Sequence, residues 1–224
     1  MGRSMPAFLN SSNLVRHSLA DPASATESRN WSVTIFEQLG WNPPDWIIFP
    51  VGTGSGIVGC YKGLQELRRL GWINKIPRLV CVQAEGCAPI AGAYKQGEED
   101  ILPVKTPKTV AEGLAVGAPP KGKLVLEALR KTGGLAELVN DVEILETAKT
   151  LAAREGLFVE VSSAPSVAGA IKLIHAGVID KNDRVVCELT GTGLKSHAEY
   201  AKMTPAPLEI EPNLQSLLKE LKIV

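Results

Sequence analysis

The chain lacks paired cysteines, an excess of charge of either sign, and any apolar run long enough to span a bilayer. Its four cysteines (Cys60, Cys81, Cys87 and Cys187) are scattered without C-x-x-C spacing. That excludes a zinc-finger-like metal site and a disulfide framework, and it fits a reducing compartment. Lys+Arg and Asp+Glu balance at 24 each, so no broad basic surface invites nucleic acid. Met1 to Asn10 has no apolar core of signal-peptide length, and there is neither an internal repeat nor a low-complexity tract. With 224 residues, 45% of them hydrophobic, the expectation is a soluble cytoplasmic protein with one large domain or two small ones.

Residues 1 to 30 are poor in periodicity and rich in Ser, Asn, Asp and Pro, so they read as an irregular segment before an ordered unit over 31–224. A helix over Ser32 to Leu39 is stopped by Gly40 and Pro43-Pro44. Trp46 to Val51 is a buried strand, and Ile57, Val58, Tyr61, Leu64 and Leu67 share one face of the helix behind it. Further strands are expected at Leu79–Gln83, Leu138-Val139, Leu157–Val161 and Val185–Leu189. Between them lie helices over Pro89–Gln96, Leu124–Lys131, Asn140 to Gly156 (Val142, Leu145, Ala148 and Ala152 inward) and a Ser163-capped segment ending at Gly177. Gly97 to Lys123 is a long excursion with many prolines, and a short helix over Leu214–Leu221 closes the chain. Strands separated by helices imply an α/β fold, a parallel sheet with flanking helices.

Chemistry concentrates after the first strand, at Gly52-Thr53-Gly54-Ser55-Gly56. A glycine loop between strand and helix is an anion cup, because it presents backbone N–H groups and the positive end of a helix dipole. No Gly-Lys-Ser/Thr follows, which excludes a Walker loop. Gly54-Ser55-Gly56-Ile57-Val58-Gly59 satisfies a dinucleotide signature, with Glu85 where a ribose-binding acid belongs, although no βα unit precedes it. A plain tight turn for helix–sheet packing is a third reading. The second glycine turn, Thr190-Gly191-Thr192-Gly193, discriminates among these. Parallel strands end on one edge, so both turns face one crevice, and a Thr190 hydroxyl there suits a neutral pyridine nitrogen. One loop for a phosphate and one hydroxyl for a ring nitrogen describe a site for pyridoxal 5'-phosphate (PLP).

Five stretches then fall in a familiar order: Pro50 to Gly56, Val82 to Pro89, Thr109 to Gly113, Glu155 to Glu160, and Leu189 to Lys195. Together they resemble the later part of threonine synthase, over roughly residues 31 to 205. The resemblance implies part of the large PLP-binding domain of a fold-type-II enzyme, a lyase of threonine biosynthesis. By it, Gly52, Thr53, Gly54, Ser55 and Gly56 hold the PLP phosphate and Thr190 meets the pyridine nitrogen. Family members often carry Asn at the positions of Thr53 and Gly56, so backbone amides must do more of the holding here. Glu27 to Ser32 also departs from the family's Gly-x-Lys-Thr type of sequence.

The family's Schiff-base lysine lies in a Ser-Phe-Lys-Asp-Arg type segment upstream of the glycine loop, and its ring-supporting Asn in a Ser-Gly-Asn-Thr segment. Neither occurs in this chain. No catalytic residue and no metal ligand is therefore assigned, and the chain is expected to behave as a C-terminal portion, inactive alone. The expected partners are an amino-acid phosphate substrate, a separate lysine-bearing half and a second copy of the chain, with no nucleic acid and no membrane. The competing expectations are a non-catalytic module for a phosphorylated ligand or protein partner, and a dinucleotide-binding domain. His17, His175 and His197, Glu85, Glu160 and Lys195 carry no assigned chemistry, and core packing is the default for Trp31, Trp41, Trp46 and Trp72.

Overall fold

The computed structural model describes residues 24–206 and 209–221. Among them are four parallel strands: β1 (Trp46–Pro50), β2 (Arg78–Ala84), β3 (Leu135–Val139) and β4 (Val185–Cys187), in the spatial order β3-β2-β1-β4. The helices are α1 (Ser24–Gln38), α2 (Ser55–Arg69), α3 (Pro89–Gln96), α4 (Gly122–Thr132), α5 (Asp141–Glu155), α6 (Pro165–His175), α7 (His197–Met203) and α8 (Leu214–Glu220). The expected α/β class with a parallel sheet and flanking helices is what forms.

Every residue of β1 is buried, because helices cover both faces of the sheet. Side chains still alternate. Ile47, Phe49, Leu79 and Cys81 join the core that holds α1 to α4, while Trp46, Ile48, Val80 and Val82 join the core that holds α5 and α6. The chain moves from β1 to β2 to β3 with its helices on the first face. It returns to β4, beyond β1, with α5 and α6 on the second. Right-handed crossovers require that change of face when the direction of travel reverses. The reversal puts a topological switch point between β1 and β4.

Two side chains fix the local ends of elements there. Val51 N–H donates to Val82 O, so by alternation position 50 faces β4, where Pro50 has no N–H to give. The β1–β4 register accordingly ends at Ile48 opposite Cys187. Gln83, fully buried, donates from Nε2 to Val51 O at 3.1 Å and accepts from the N–H groups of Ile90 and Ala91 at 2.9 and 3.0 Å. It closes the start of α3 and ties it to the end of β1.

Several expectations change. The first helix begins at Ser24 rather than Ser32, and residues 1–23 lie outside the described residues, as do His17 and the reading of Met1 to Asn10. Leu157–Val161 is not a strand of the sheet. Val159 bridges Thr192, and Glu160 N–H and Gly193 N–H bond Gly191 O and Phe158 O, so the segment pairs with the turn after β4. Ser163 lies in a 3-10 turn, Val161–Ser163, and leaves the start of α6 without a side-chain cap. In α5 the inward face is Ile144, Thr147, Ala148 and Leu151, and Val142 is exposed, because the helix begins one residue past the Asn140 cap and packs on that stripe. Helix α7, which was not expected, follows the second glycine turn. Trp31 and Trp46 pack inward, whereas Trp41 and Trp72 are exposed and pair edge to face at 4.9 Å.

Gln83→Ala strands three buried backbone groups at once. A loss of roughly 2–4 kcal/mol of unfolding free energy is expected by denaturant titration, since each unpaired buried group costs about 1–3 kcal/mol. An unchanged midpoint would show that water replaces the side chain.

Candidate functional site

A crevice of about 180 Å³ opens at the switch point, lined by all of Gly52, Thr53, Gly54, Ser55 and Gly56 together with Thr190. The six residues singled out in the sequence therefore meet at one place. Trp31 and Phe49 form one wall, their rings stacked at 9° with centroids 6.2 Å apart, and Gly113, Glu160 and Ser162 form the other.

The glycine loop is shaped by its neighbours. Gly54 takes φ +87°, in the left-handed region, and a Cβ there would sit 2.7 Å from Val125. A Cβ on Gly52 would come 2.5 Å from Gly113 O. These contacts turn the loop's backbone toward the crevice. Among the described residues, the N–H groups of Gly52, Thr53, Gly54, Gly56 and Ile57 donate to no other group, and Ser55 N–H reaches only Thr53 Oγ1 at 3.4 Å. A helix start left without a side-chain cap, beneath a row of free amides, is a ready site for an anion. It fits a phosphate monoester.

Thr190 Oγ1 lies 3.1 Å from Ser163 Oγ, and either hydroxyl can be the donor. If Ser163 donates, the Thr190 proton is free for an acceptor in the crevice. Ser166 steadies this arrangement by bonding Ser163 O and Glu188 O at 3.0 and 2.9 Å. The Ser163–Thr190 pairing was missed at the sequence level because it depends on how the 3-10 turn packs on the end of β4.

Other candidates fall elsewhere. Glu160 lines the crevice, and the exposed Lys195, not itself a lining residue, holds its ammonium 3.9 Å from the Glu160 carboxylate. Glu85 is exposed at the end of β2 and does not line the crevice, which removes the geometric support for a ribose-binding acid. His175 and His197 are exposed and do not line it either. All four cysteines are buried, and burial pushes the thiols up, so none is a ready nucleophile. No group of three or more metal-ligating side chains occurs among the described residues, and no described helix is long and apolar enough to cross a membrane.

One residue that sequence reasoning passed over lies next to the site. Glu188, at the end of β4, is fully buried, and neither carboxylate oxygen has a hydrogen-bond partner. Burial pushes its carboxyl up to about 7. The only signal in the sequence was an acid inside an apolar strand, Val185-Val186-Cys187-Glu188-Leu189.

A glycine loop with free amides and a hydroxyl thus meet at the switch point of a parallel α/β sheet, the place where sheets of this class bind their ligands. The pyridoxal-phosphate dependent enzyme family matches residues 10–191, and the chain belongs to that family. Within it, the chain is similar to the threonine synthase of Methanocaldococcus jannaschii, 40% identical over 188 residues, covering 84% of this chain and 46% of that protein. The threonine synthase of Mycobacterium bovis is 33% identical over 214 residues, covering 95% and 56%. The chain thus spans about half the length of the curated relatives it matches. Solved structures agree on the fold. An L-serine ammonia-lyase from Rhizomucor miehei superposes with TM-score 0.66 at 23% identity, over 80% of this chain and 56% of that one. Maize serine racemase gives 0.63 at 19%, over 80% and 53%. These neighbours are fold-type-II PLP enzymes in architecture, and the sheet described above is part of that architecture.

Glu188 makes stability depend on pH. Its folded value, about 7, lies above the ordinary 4.5, so its contribution is fully present below pH 4.5 and lost as pH rises through 7. Between pH 5 and pH 8 the chain should lose up to about 3 kcal/mol from this group. Glu188→Leu should flatten that slope in urea titrations and leave the variant the more stable of the two at pH 8. Parallel slopes for the two proteins would place the pH dependence elsewhere.

Proposed function

We propose that the chain forms one side of the active site of a threonine synthase-like lyase and turns over only when another polypeptide segment supplies a lysine. The observation that carries this reading is the meeting of free loop amides and the Thr190 hydroxyl in one crevice. The similarity to threonine synthases over most of the chain supports the same choice of cofactor and substrate. The family reaction takes O-phosphohomoserine and water to threonine and phosphate.

PLP, when bound, supplies the electron sink for making and breaking bonds at the substrate's carbons. The chain's own groups hold and orient it. The amides of Gly52 to Gly56 and the positive end of α2 take the phosphate, with the Ser55 hydroxyl close by. Thr190, accepting from Ser163, would donate to the ring nitrogen, an arrangement that suits an unprotonated nitrogen. Trp31 and Phe49 keep water from one side of the crevice. Lys195, exposed beside the Glu160 carboxylate of the lining, would add positive charge near the crevice for an amino-acid phosphate.

The described lining of the crevice holds no lysine or histidine to move protons between substrate carbons. Glu160 is the one ionisable side chain among the described lining residues, and its carboxylate stands 3.9 Å from the Lys195 ammonium. The same gap is what a lysine-bearing segment, as in the family's upstream sequence, would fill.

Two measurements test the reading. Mixed with PLP, the purified chain should bind it reversibly, retain none after borohydride reduction, and release no phosphate from O-phosphohomoserine. Covalent retention together with threonine formation by the chain alone would sink the proposal. Thr190→Val should weaken PLP binding about tenfold in a fluorescence titration, the worth of one hydrogen bond in a closed site, and Thr190→Ser should restore it. Equal affinity in all three proteins would remove Thr190 from the site.

A further inference from the structure

A second concavity among the described residues lies away from the switch-point crevice. A groove of about 580 Å³ lies against the C-terminal half of α2, whose last turn is ~21 Å along the helix from the glycine loop at 1.5 Å per residue. Its size is that of a small-molecule site. Four cationic side chains from three elements line it: Arg68 and Arg69 of α2, Lys75 of the α2–β2 connection, and Lys131 of α4. Among the described residues, no carboxylate lines it.

A purely structural origin accounts for only part of that charge. Lys75 pairs with Asp45 at 2.8 Å, and Lys131 pairs with Glu127 one turn back on α4. The C-terminal ends of α2 and α4 meet at this groove and attract cations, but each carries only about half a negative charge. Together they offset about one positive charge. The Arg68 and Arg69 guanidinium groups remain, and neither makes an ion pair or hydrogen bond among the described residues. Composition does not explain the excess, since the chain's formal net charge is zero. The Tyr61 ring and the Ile76 side chain also line the groove and form an apolar part of its wall, and Gln65 and Asn74 add amides.

Two planar guanidinium forks beside two ammonium groups match the oxygens of a phosphate. Excess charge over several separated cations favours more than one negative charge on the guest, and the apolar wall suits its organic part. We propose that this groove binds a small phosphorylated metabolite bearing at least two negative charges, as a second site separate from the glycine-loop crevice. Neither the groove nor its guest depends on the identity of the cofactor at the first site.

The test is an NMR titration of the 15N-labelled full chain with pyrophosphate at fixed ionic strength. Saturable shifts are expected at the amides of Arg68, Arg69, Asn74 and Lys131, followed separately from any at Gly52 to Gly56. The double variant R68A/R69A should weaken binding at the groove about tenfold or more, the worth of losing charge-assisted hydrogen bonds. Lys62→Ala removes a charge from an exposed position on α2 outside the groove, and it should leave that affinity unchanged. An undisturbed spectrum in the remaining residues verifies that each variant is folded. Linear shifts without saturation, equal weakening in Lys62→Ala, or shifts confined to Gly52–Gly56 would each overturn the proposal. So would tighter binding of a short DNA duplex than of pyrophosphate, which would make the groove a nucleic-acid contact.

Discussion

Strand β1 is hydrogen-bonded on both sides, to β2 over its whole length and to β4 over its first residues, and the crevice depends on that double pairing. A central parallel strand must be buried on both faces, which is why Trp46 to Pro50 is apolar throughout. Because the chain travels from β1 toward β2 on one face and returns to β4 on the other, the connections leaving β1 and β4 diverge and a crevice opens between them. The glycine loop occupies that opening, and the turn after β4 occupies the other side. Pro50 marks the point where the β4 ladder stops and the crevice begins.

Much of the tightness around the crevice comes from groups outside its lining. Gln83 spends its whole amide on three backbone groups and so holds the end of β1 against the start of α3. Ser166 and Ser163 carry the end of β4 into the Thr190 hydroxyl. Gly52 and Gly54 are required by Gly113 and Val125 pressing on the loop, and the free amides are a consequence of that packing. Against this order stands Glu188, a buried acid without a hydrogen-bond partner, two residues before Thr190. Its burial costs stability at neutral pH and above, and the surrounding core offsets that cost.

Much of the local structure was legible. The turn signals at Gly133-Gly134, the Asn140 cap and the Gly156 stop each act through neighbours a few residues away, and each gives its element the expected end. The limits of α3 fall where Pro89 and Gly97 put them. What misled was periodicity without a partner. Leu157 to Val161 has the composition of a strand, but it finds its hydrogen bonds in the turn after β4. Ser163 has the chemistry of a helix cap, but the 3-10 turn points its hydroxyl at Thr190. Val142 sits at a plausible inward position, yet α5 rolls onto Ile144 and Leu151.

By itself, the sequence determined the strand–glycine-loop–helix unit, the second turn at Thr190, and the order of stretches that resembles threonine synthase. Those features are local, set by backbone freedom at glycine, apolar spacing and side-chain type. Only the tertiary structure decided that β1 and β4 are neighbours, because strand order depends on pairing between residues more than a hundred positions apart. The same long-range packing buried Glu188 and joined Ser163 to Thr190. It also gathered Arg68, Arg69, Lys75 and Lys131 from three elements around one groove. No window of sequence contains those contacts.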